Sequence, residues 1–314
     1  MSQRVDRNHF LLGLSLMLAA IPAATLFRNA SVGSPENQDI GYLEKYQWGS
    51  DYDILLAGNS MVNRGLNPDQ FNVAYPGAKT GNYAFSNQGY SDAYIQSLES
   101  KFRPGSTGRI LVLGLSPGSL ADHAMKLNGF NIAANTAASL RFPEEARVRN
   151  SYKKLVIFFA PTTPSRLFRR FNFDRSDDFS YFSHAHANGW IAADRQPHDH
   201  GAVLRETRNA NIFDPPLEDR IQVMKTKIRE WRQQGIQVYA FWPPEDRSIR
   251  VKAEHHAGYT EKEWGKIFSD SGAVWLSAPC EDYETYDGIH LPPDQARKLT
   301  AEIIRQIQSF SAGA

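Results

Sequence analysis

The sequence is poor in several features that would place a chain in a class at once. It has one cysteine, Cys280, in 314 residues. No internal disulfide can form, and this single thiol is compatible with any compartment. It has almost no net charge, because 35 Lys and Arg face 34 Asp and Glu. Proteins that hold nucleic acid through phosphate contacts concentrate basic residues. Here they are scattered, apart from Arg166–Arg170, so nucleic acid is excluded as a partner. Internal repeats and low-complexity segments are missing too, which excludes solenoids and disordered arrays. Hydrophobic residues make up 41% of the chain, ordinary for a globular protein, and the length suits one long α/β domain or two shorter ones.

Long apolar runs are also lacking, with one exception. Phe10–Phe27, FLLGLSLMLAAIPAATLF, carries no charge over 18 residues and follows Arg4, Arg7 and His9. A charged start and an apolar centre describe an export signal, and the run is just long enough to span a bilayer. The basic flank keeps the N-terminus in the cytoplasm and sends the remainder outward. Small residues with cleavage-site spacing are absent except near Arg28-Asn29-Ala30-Ser31. The expectation is an uncleaved signal anchor over 1–30. The globular part then lies on the periplasmic, extracytoplasmic side of the cytoplasmic (inner) membrane. Residues 31–50, with Gly33, Ser34, Pro35, Glu36 and Asn37, read as a linker.

What is present is organised around Asp51–Arg64, DYDILLAGNSMVNR. An apolar run of strand length ends in Gly58-Asn59 and presents Ser60. In open α/β sheets ligands bind at the carboxyl rim of the strands. Ser is a weak nucleophile alone and needs a base with an orienting partner. A candidate pair lies far away at Asp287-Gly288-Ile289-His290, followed by Leu291-Pro292-Pro293 and a helical pattern. The competing reading makes Ser60 a turn or N-cap residue and His290 a surface histidine.

Between these points the pattern alternates. Phe71–Tyr75 reads as a second strand ended by Pro76-Gly77, and residues 83–102 as a crossover helix. Arg109–Leu115 is a continuous apolar strand, ended by Ser116-Pro117-Gly118. Residues 119–215 interrupt the alternation with a helical and loop insertion. It holds the short apolar run Leu155–Phe159, the pairs His184, His186 and His198, His200, and the aromatics Tyr181 and Trp190. Four imidazoles could serve a transition metal. No Cys or Glu ligand set at standard spacing accompanies them, so no metal and no cofactor is expected. Tyr181 and Trp190 are candidate platforms for a sugar ring, against the more frequent role of packing a small core. Leu217–Gln234 is an amphipathic helix stopped by Gly235. Ile236–Trp242 is a strand. Thr260–Ser271 is a helix with a Thr260/Glu263 capping box. Gly272–Leu276 is the last strand and Asp294–Phe310 the closing helix. Such repetition implies a parallel sheet with helices on both faces.

Gly58-Asn59-Ser60 and Asp287-x-x-His290, in this order and context, resemble the SGNH (GDSL-type) hydrolase superfamily. The resemblance covers about residues 51–118 and 216–310. It implies a three-layer α/β/α flavodoxin-like domain over 51–314 and a catalytic set of Ser60, Asp287 and His290. An oxyanion hole is implied from the Ser60 N–H and a second-block glycine, best matched by Gly77 and next by Gly81. The family's third-block Asn is missing, since Gly114-Leu115-Ser116 stands there. Ser116, Asn128 or Asn131 are the candidates to replace it. This departure, with the N-terminal anchor, is similar to the membrane-anchored branch, the periplasmic O-acetyltransferases of alginate and the D-alanylation protein of teichoic acid synthesis. That branch implies a polysaccharide or acyl-ester substrate, acyl transfer through an acyl-enzyme, and a membrane-bound acyl-donor protein as partner. A carbohydrate esterase or lipase and a non-catalytic glycan-binding or scaffold module remain the alternatives.

Overall fold

A computed structural model describes residues 35–126, 128–139, 180–206 and 213–312. The apolar run Phe10–Phe27, the run Leu155–Phe159 and Arg166–Arg170 lie outside them. Among the described residues no helix is long and apolar enough to cross a membrane.

Five strands form one parallel sheet: β1 (Ile54–Ala57), β2 (Thr80–Asn82), β3 (Ile110–Gly114), β6 (Gln237–Phe241) and β7 (Val274–Trp275). They lie in the order β2-β1-β3-β6-β7, and every pairing is parallel. β1 and β3 are buried at every position, as expected of parallel strands covered on both sides. The two faces are distinct. Leu55, Ala57, Leu111, Leu113, Val238 and Ala240 share one core with α4 (Asp92–Glu99), α8 (Glu218–Gln233) and α10 (Glu261–Ser269). Ile54, Leu56, Ile110, Val112 and Phe241 share the other with α2 (Ser60–Gly65), α3 (Pro68–Ala74) and α11 (Pro293–Ala312). The period-2 alternation of strand side chains produces this division. The architecture is therefore α/β, with helices on both faces of the sheet.

The insertion contributes no strand to this sheet among its described residues. It supplies a 3-10 turn (Pro117–Leu120), α5 (Asp122–Lys126), α6 (Gly129–Ala138), a separate antiparallel hairpin of β4 (Ser180–Ala185) and β5 (Ile191–Gln196), and α7 (Ala202–Glu206). α9 (Arg247–Ala257) follows β6.

Three expectations are corrected. The 31–50 segment is not a linker throughout, because α1 (Pro35–Tyr46) occupies most of it. Lys45 on this helix is buried. Its ammonium donates to Asn63 Oδ1 at 3.0 Å, to the Ala84 carbonyl at 2.6 Å and to the Gly189 carbonyl at 2.9 Å. Burial lowers its pKa well below the usual lysine value, and the three acceptors are what compensate a buried ammonium. Phe71–Tyr75 is not a strand. Asn67 caps a helix by accepting from the Asp69 N–H, with Pro68 at its first position, a start signal that outweighs the β-branched and aromatic content. The second strand is instead Thr80–Asn82. Finally, 83–102 is helical only over Asp92–Glu99. The stretch before it runs irregularly along the carboxyl edge of the sheet.

Candidate active site

Counting the sheet strands alone, the order is 2-1-3-4-5, and the order reverses between β1 and β3. That reversal leaves a crevice at the carboxyl ends of these two strands. Ser60 follows β1 and Ser116 follows β3, and both line one pocket with Asn59, Asn87, Trp242 and Ile249 among others.

Ser60 opens α2, a helix of six residues, far too short to persist alone. Its neighbours hold it. Asn59 caps it by accepting from the Met61 N–H at 3.0 Å. The Asn82 amide donates to the Val62 and Leu66 carbonyls, each at 2.9 Å. Trp190 Nε1 donates to the Arg64 carbonyl at 2.8 Å. The bend before the helix needs glycine. Gly58 has φ +150°, and a Cβ there would meet Val62 Cγ2 at 2.7 Å. A Cβ on Gly114 would meet the same methyl at 2.1 Å, so Val62 docks in a notch cut by two glycines. Tyr94 Oη accepts from the Gly58 N–H at 3.2 Å, and Tyr90 Oη donates to the Ala57 and Gly114 carbonyls at 3.0 and 3.1 Å.

The opposite partner stands in the loop before α11. Ser60 Oγ lies 2.8 Å from His290 Nε2, and His290 Nδ1 lies 2.7 Å from Asp287 Oδ2. The tautomer that satisfies both bonds carries its proton on Nδ1, so that Nε2 accepts from the serine. Ser60, His290 and Asp287 are all buried. Asp287 Oδ1 accepts from the N–H of Ile289 at 3.1 Å and of His290 at 2.9 Å, so the Asp-x-x-His spacing closes a turn on its own carboxylate. Gly288 takes φ +109°, with the His200 carbonyl 2.4 Å from where a Cβ would sit. The loop is braced from outside by the Val203 N–H, which donates to the Asp287 carbonyl at 3.1 Å.

The electrostatics follow from this packing. Burial alone would raise the Asp287 carboxyl, but His290 and the two backbone N–H groups outweigh it and bring the pKa to about 2. Burial lowers the His290 pKa below its ordinary value; the Arg64 guanidinium lowers it further, and Asp287 opposes both. Asp287 is thus ionised and His290 neutral near pH 7, the protonation states in which an imidazole can accept a proton.

The other site residues expected from sequence fall differently. Gly77 precedes β2 whereas Ser60 follows β1. Since Ile54 pairs with Thr80 in a parallel ladder, the two lie at opposite edges of the sheet, and Gly77 cannot face Ser60. Gly81 lies inside β2, against the rings of Tyr52 and Trp48. Asn128 caps α6, accepting from the Asn131 N–H and donating to the Ala124 carbonyl, each at 2.8 Å. The Asn131 amide is spent on the Met125 and Lys126 carbonyls. Ser116 does line the pocket, and its side chain makes no cap to the turn that follows. Trp190 is buried in the second core and stacks on His186, so it is not a ligand platform. Tyr181 packs edge-on against Tyr286, behind the histidine and away from the pocket-lining residues.

Sequence reasoning missed the turn at Ser86–Gln88. Asn87 and Gln88 line the pocket beside Ser60, and Asn87 holds φ +52°, an uncommon conformation for a side-chain-bearing residue and one that clusters at functional sites. Among the described residues the Asn87 N–H has no hydrogen-bond partner. The one signal was the polar Asn-Gln pair between Phe85 and Gly89, hidden inside a stretch read as helix. His198 sits between Asp194 at 3.1 Å and Glu284 at 3.2 Å, and His200 faces Thr285. No group of three or more His, Cys, Asp or Glu among the described residues is placed to hold a metal ion. No family model, curated protein or solved structure matches the chain.

Proposed function

We propose that the chain is an exported, membrane-anchored serine acyltransferase of SGNH type, transferring an acyl group, by the resemblance an acetyl group, to a polysaccharide hydroxyl. The observation that carries the reading is the unbroken chain from Ser60 Oγ to His290 to Asp287, at 2.8 and 2.7 Å, at the reversal point of a parallel sheet. Ser60 Oγ attacks the acyl carbonyl as His290 Nε2 takes its proton. The imidazolium is held by Asp287, which stays ionised. The donor's alcohol leaves with that proton, and the Ser60 acyl ester remains. An acceptor hydroxyl then repeats the cycle in reverse, giving its proton to His290 and taking the acyl group.

The developing oxyanion needs donors fixed in advance, and losing one costs about 2.7–4 kcal/mol. The first-turn N–H of Ser60, the unpaired N–H of Asn87 and the Ser116 hydroxyl are the groups assigned this role. They take the places of Gly77 and of the absent third-block Asn. A fluorophosphonate probe, which bonds phosphorus to an activated serine oxygen and expels fluoride, tests the reading. The wild-type protein should be labelled at one site, Ser60→Ala not at all, and His290→Ala at least a hundredfold more slowly. Asp287→Asn should fold and lose most of the reactivity. Equal labelling of wild type and Ser60→Ala would end the proposal.

A further inference from the structure

We propose that Arg64 and Tyr286 form a clamp that positions the general base, tying the nucleophile's own helix to the face of the imidazole. The inference rests on reading Ser60 and His290 as an acyl-transfer pair. Arg64 lies four residues after Ser60, at the other end of α2. Its Nη1 donates to Tyr286 Oη at 2.6 Å. The Tyr286 ring, almost wholly buried, stacks on His290 with centroids 5.8 Å apart and an interplanar angle of 26°. The Tyr286 N–H donates to the His290 carbonyl at 2.9 Å, so ring and backbone together hold one imidazole pose. The Arg64 end is fixed in turn, because its carbonyl accepts from Trp190 Nε1. Arg64 Nε is buried with no hydrogen-bond partner, so the Tyr286 hydroxyl is the side-chain acceptor that holds this guanidinium.

The clamp has a geometric and an electrostatic consequence. The helix also packs on Leu291 and Leu299, but those contacts hold the backbone; on the imidazole itself, the Ser60 hydrogen bond must break and reform in each half-reaction. With the clamp, helix and loop keep their separation while the proton moves. A fixed cation beside the imidazole also disfavours a second positive charge there. The charged and titratable groups facing His290 are Asp287 in its own loop, Arg64 from α2 and the phenol of Tyr286, with Tyr181 of the hairpin behind. Asp287 favours the imidazolium and Arg64 opposes it. The base is thereby kept neutral at rest and is stabilised as a cation only as far as turnover requires.

The test uses the full-length protein and two readouts. One is the pH dependence of fluorophosphonate labelling at Ser60. The other is the NMR titration of the His290 side chain in protein carrying 13C-labelled histidine, assigned by its loss in His290→Gln. Arg64→Met should move the midpoint of both curves to higher pH, while Arg64→Lys, which keeps the charge, should leave it near wild type. Tyr286→Phe keeps ring and charge but removes the anchoring hydroxyl. Its maximal labelling rate should fall about tenfold, with the probe concentration for half-maximal rate unchanged. An unmoved midpoint in Arg64→Met overturns the inference, as does a Tyr286→Phe protein that labels at the wild-type rate. If Arg64→Met does not fold, Tyr286→Phe decides. If the wild-type protein is not labelled at all, the reading of Ser60 has failed, and the His290 titration in Arg64→Met still judges the clamp.

Discussion

At the scale of the residue, His290 carries most of what can be measured. On the proposed acyl-transfer reading its neutral form is the reactive one, and burial with Arg64 lowers its pKa below the ordinary 6.5. Acyl-enzyme formation should therefore rise with pH along a limb whose midpoint lies below 6.5. A midpoint above 6.5 in the labelling profile would contradict the assignment. The sign for stability is the same. A group whose folded pKa is depressed contributes stability that is present above its unfolded pKa and lost as pH falls through the folded one. For His290 the loss begins below 6.5, and for Asp287 it runs from 3.8 down toward 2. These three site residues were visible in the sequence because each carries local context: a strand ended by Gly-Asn before Ser60, and a self-closing Asp-x-x-His turn before a helix. Trp190 was misjudged because its surroundings in sequence, His184, His186 and Asn188, are polar. What buries it is α2, more than a hundred residues earlier, and no local pattern announces such a contact.

At the scale of the element, α2 is the part on which the site depends, and it is a helix that cannot stand alone. Its seat is the notch formed by Gly58 and Gly114 around Val62. Gly114→Ala places a methyl 2.1 Å from Val62 Cγ2 and must push the helix, with Ser60, off the end of β3. Overpacking of this kind costs about 1–3 kcal/mol, and the displacement should slow Ser60 labelling more than tenfold. Removing the obstructing methyls should reverse it. Val62→Ala combined with Gly114→Ala is expected to be more stable and more reactive than Gly114→Ala alone, a positive coupling in a double-mutant cycle. Strictly additive effects in melting and labelling would mean that the helix is not seated there. The amphipathic helices α8, α10 and α11 were legible because their apolar spacing is also their buried face: Ile221, Met224, Ile228 and Trp231 all lie in the core. β2 was illegible, because Thr-Gly-Asn has no strand character. Gly81 is there because the Tyr52 ring would lie 2.6 Å from a Cβ, a reason that exists only in three dimensions.

At the scale of the whole molecule, alternating strands and helices in the sequence already imply a parallel sheet, but not where the order reverses, and the reversal is what places the pocket between β1 and β3. The chain ahead of the sheet carries a separate expectation. With basic residues before Phe10–Phe27, a reporter that is active only after export, fused after Ala314, should be active; activity of a cytoplasmic reporter at that position would overturn the topology.

What happens to the acyl-enzyme depends on what reaches it. A hydrolase admits water freely, whereas a transferase must capture an acceptor faster than water arrives. The acceptor was expected to lie on Trp190 and Tyr181, and neither lines the pocket. Its walls come instead from Asn87 and Gln88 after β2, from Pro117 and Gly118 after β3, from Ser119, His123, Ala124 and Phe213 of the insertion, and from Trp242 and Ile249. Apolar and aromatic walls with a few fixed polar groups suit a ligand that must be oriented as well as held, and the polar groups here border Ser60. Turnover of a small chromogenic ester should therefore be slow and limited by deacylation. It should accelerate when an oligosaccharide acceptor is added, with the acyl group recovered on the sugar. Of the two aromatic wall residues, Trp242 is fully buried and donates to Glu245 at 3.0 Å, so replacing it would damage the fold. Phe213 is only partly buried. Phe213→Ala should weaken the acceleration by acceptor several-fold and leave the burst of acyl-enzyme formation intact. Fast ester hydrolysis that no glycan alters, in wild type and Phe213→Ala alike, would assign the same serine to an esterase.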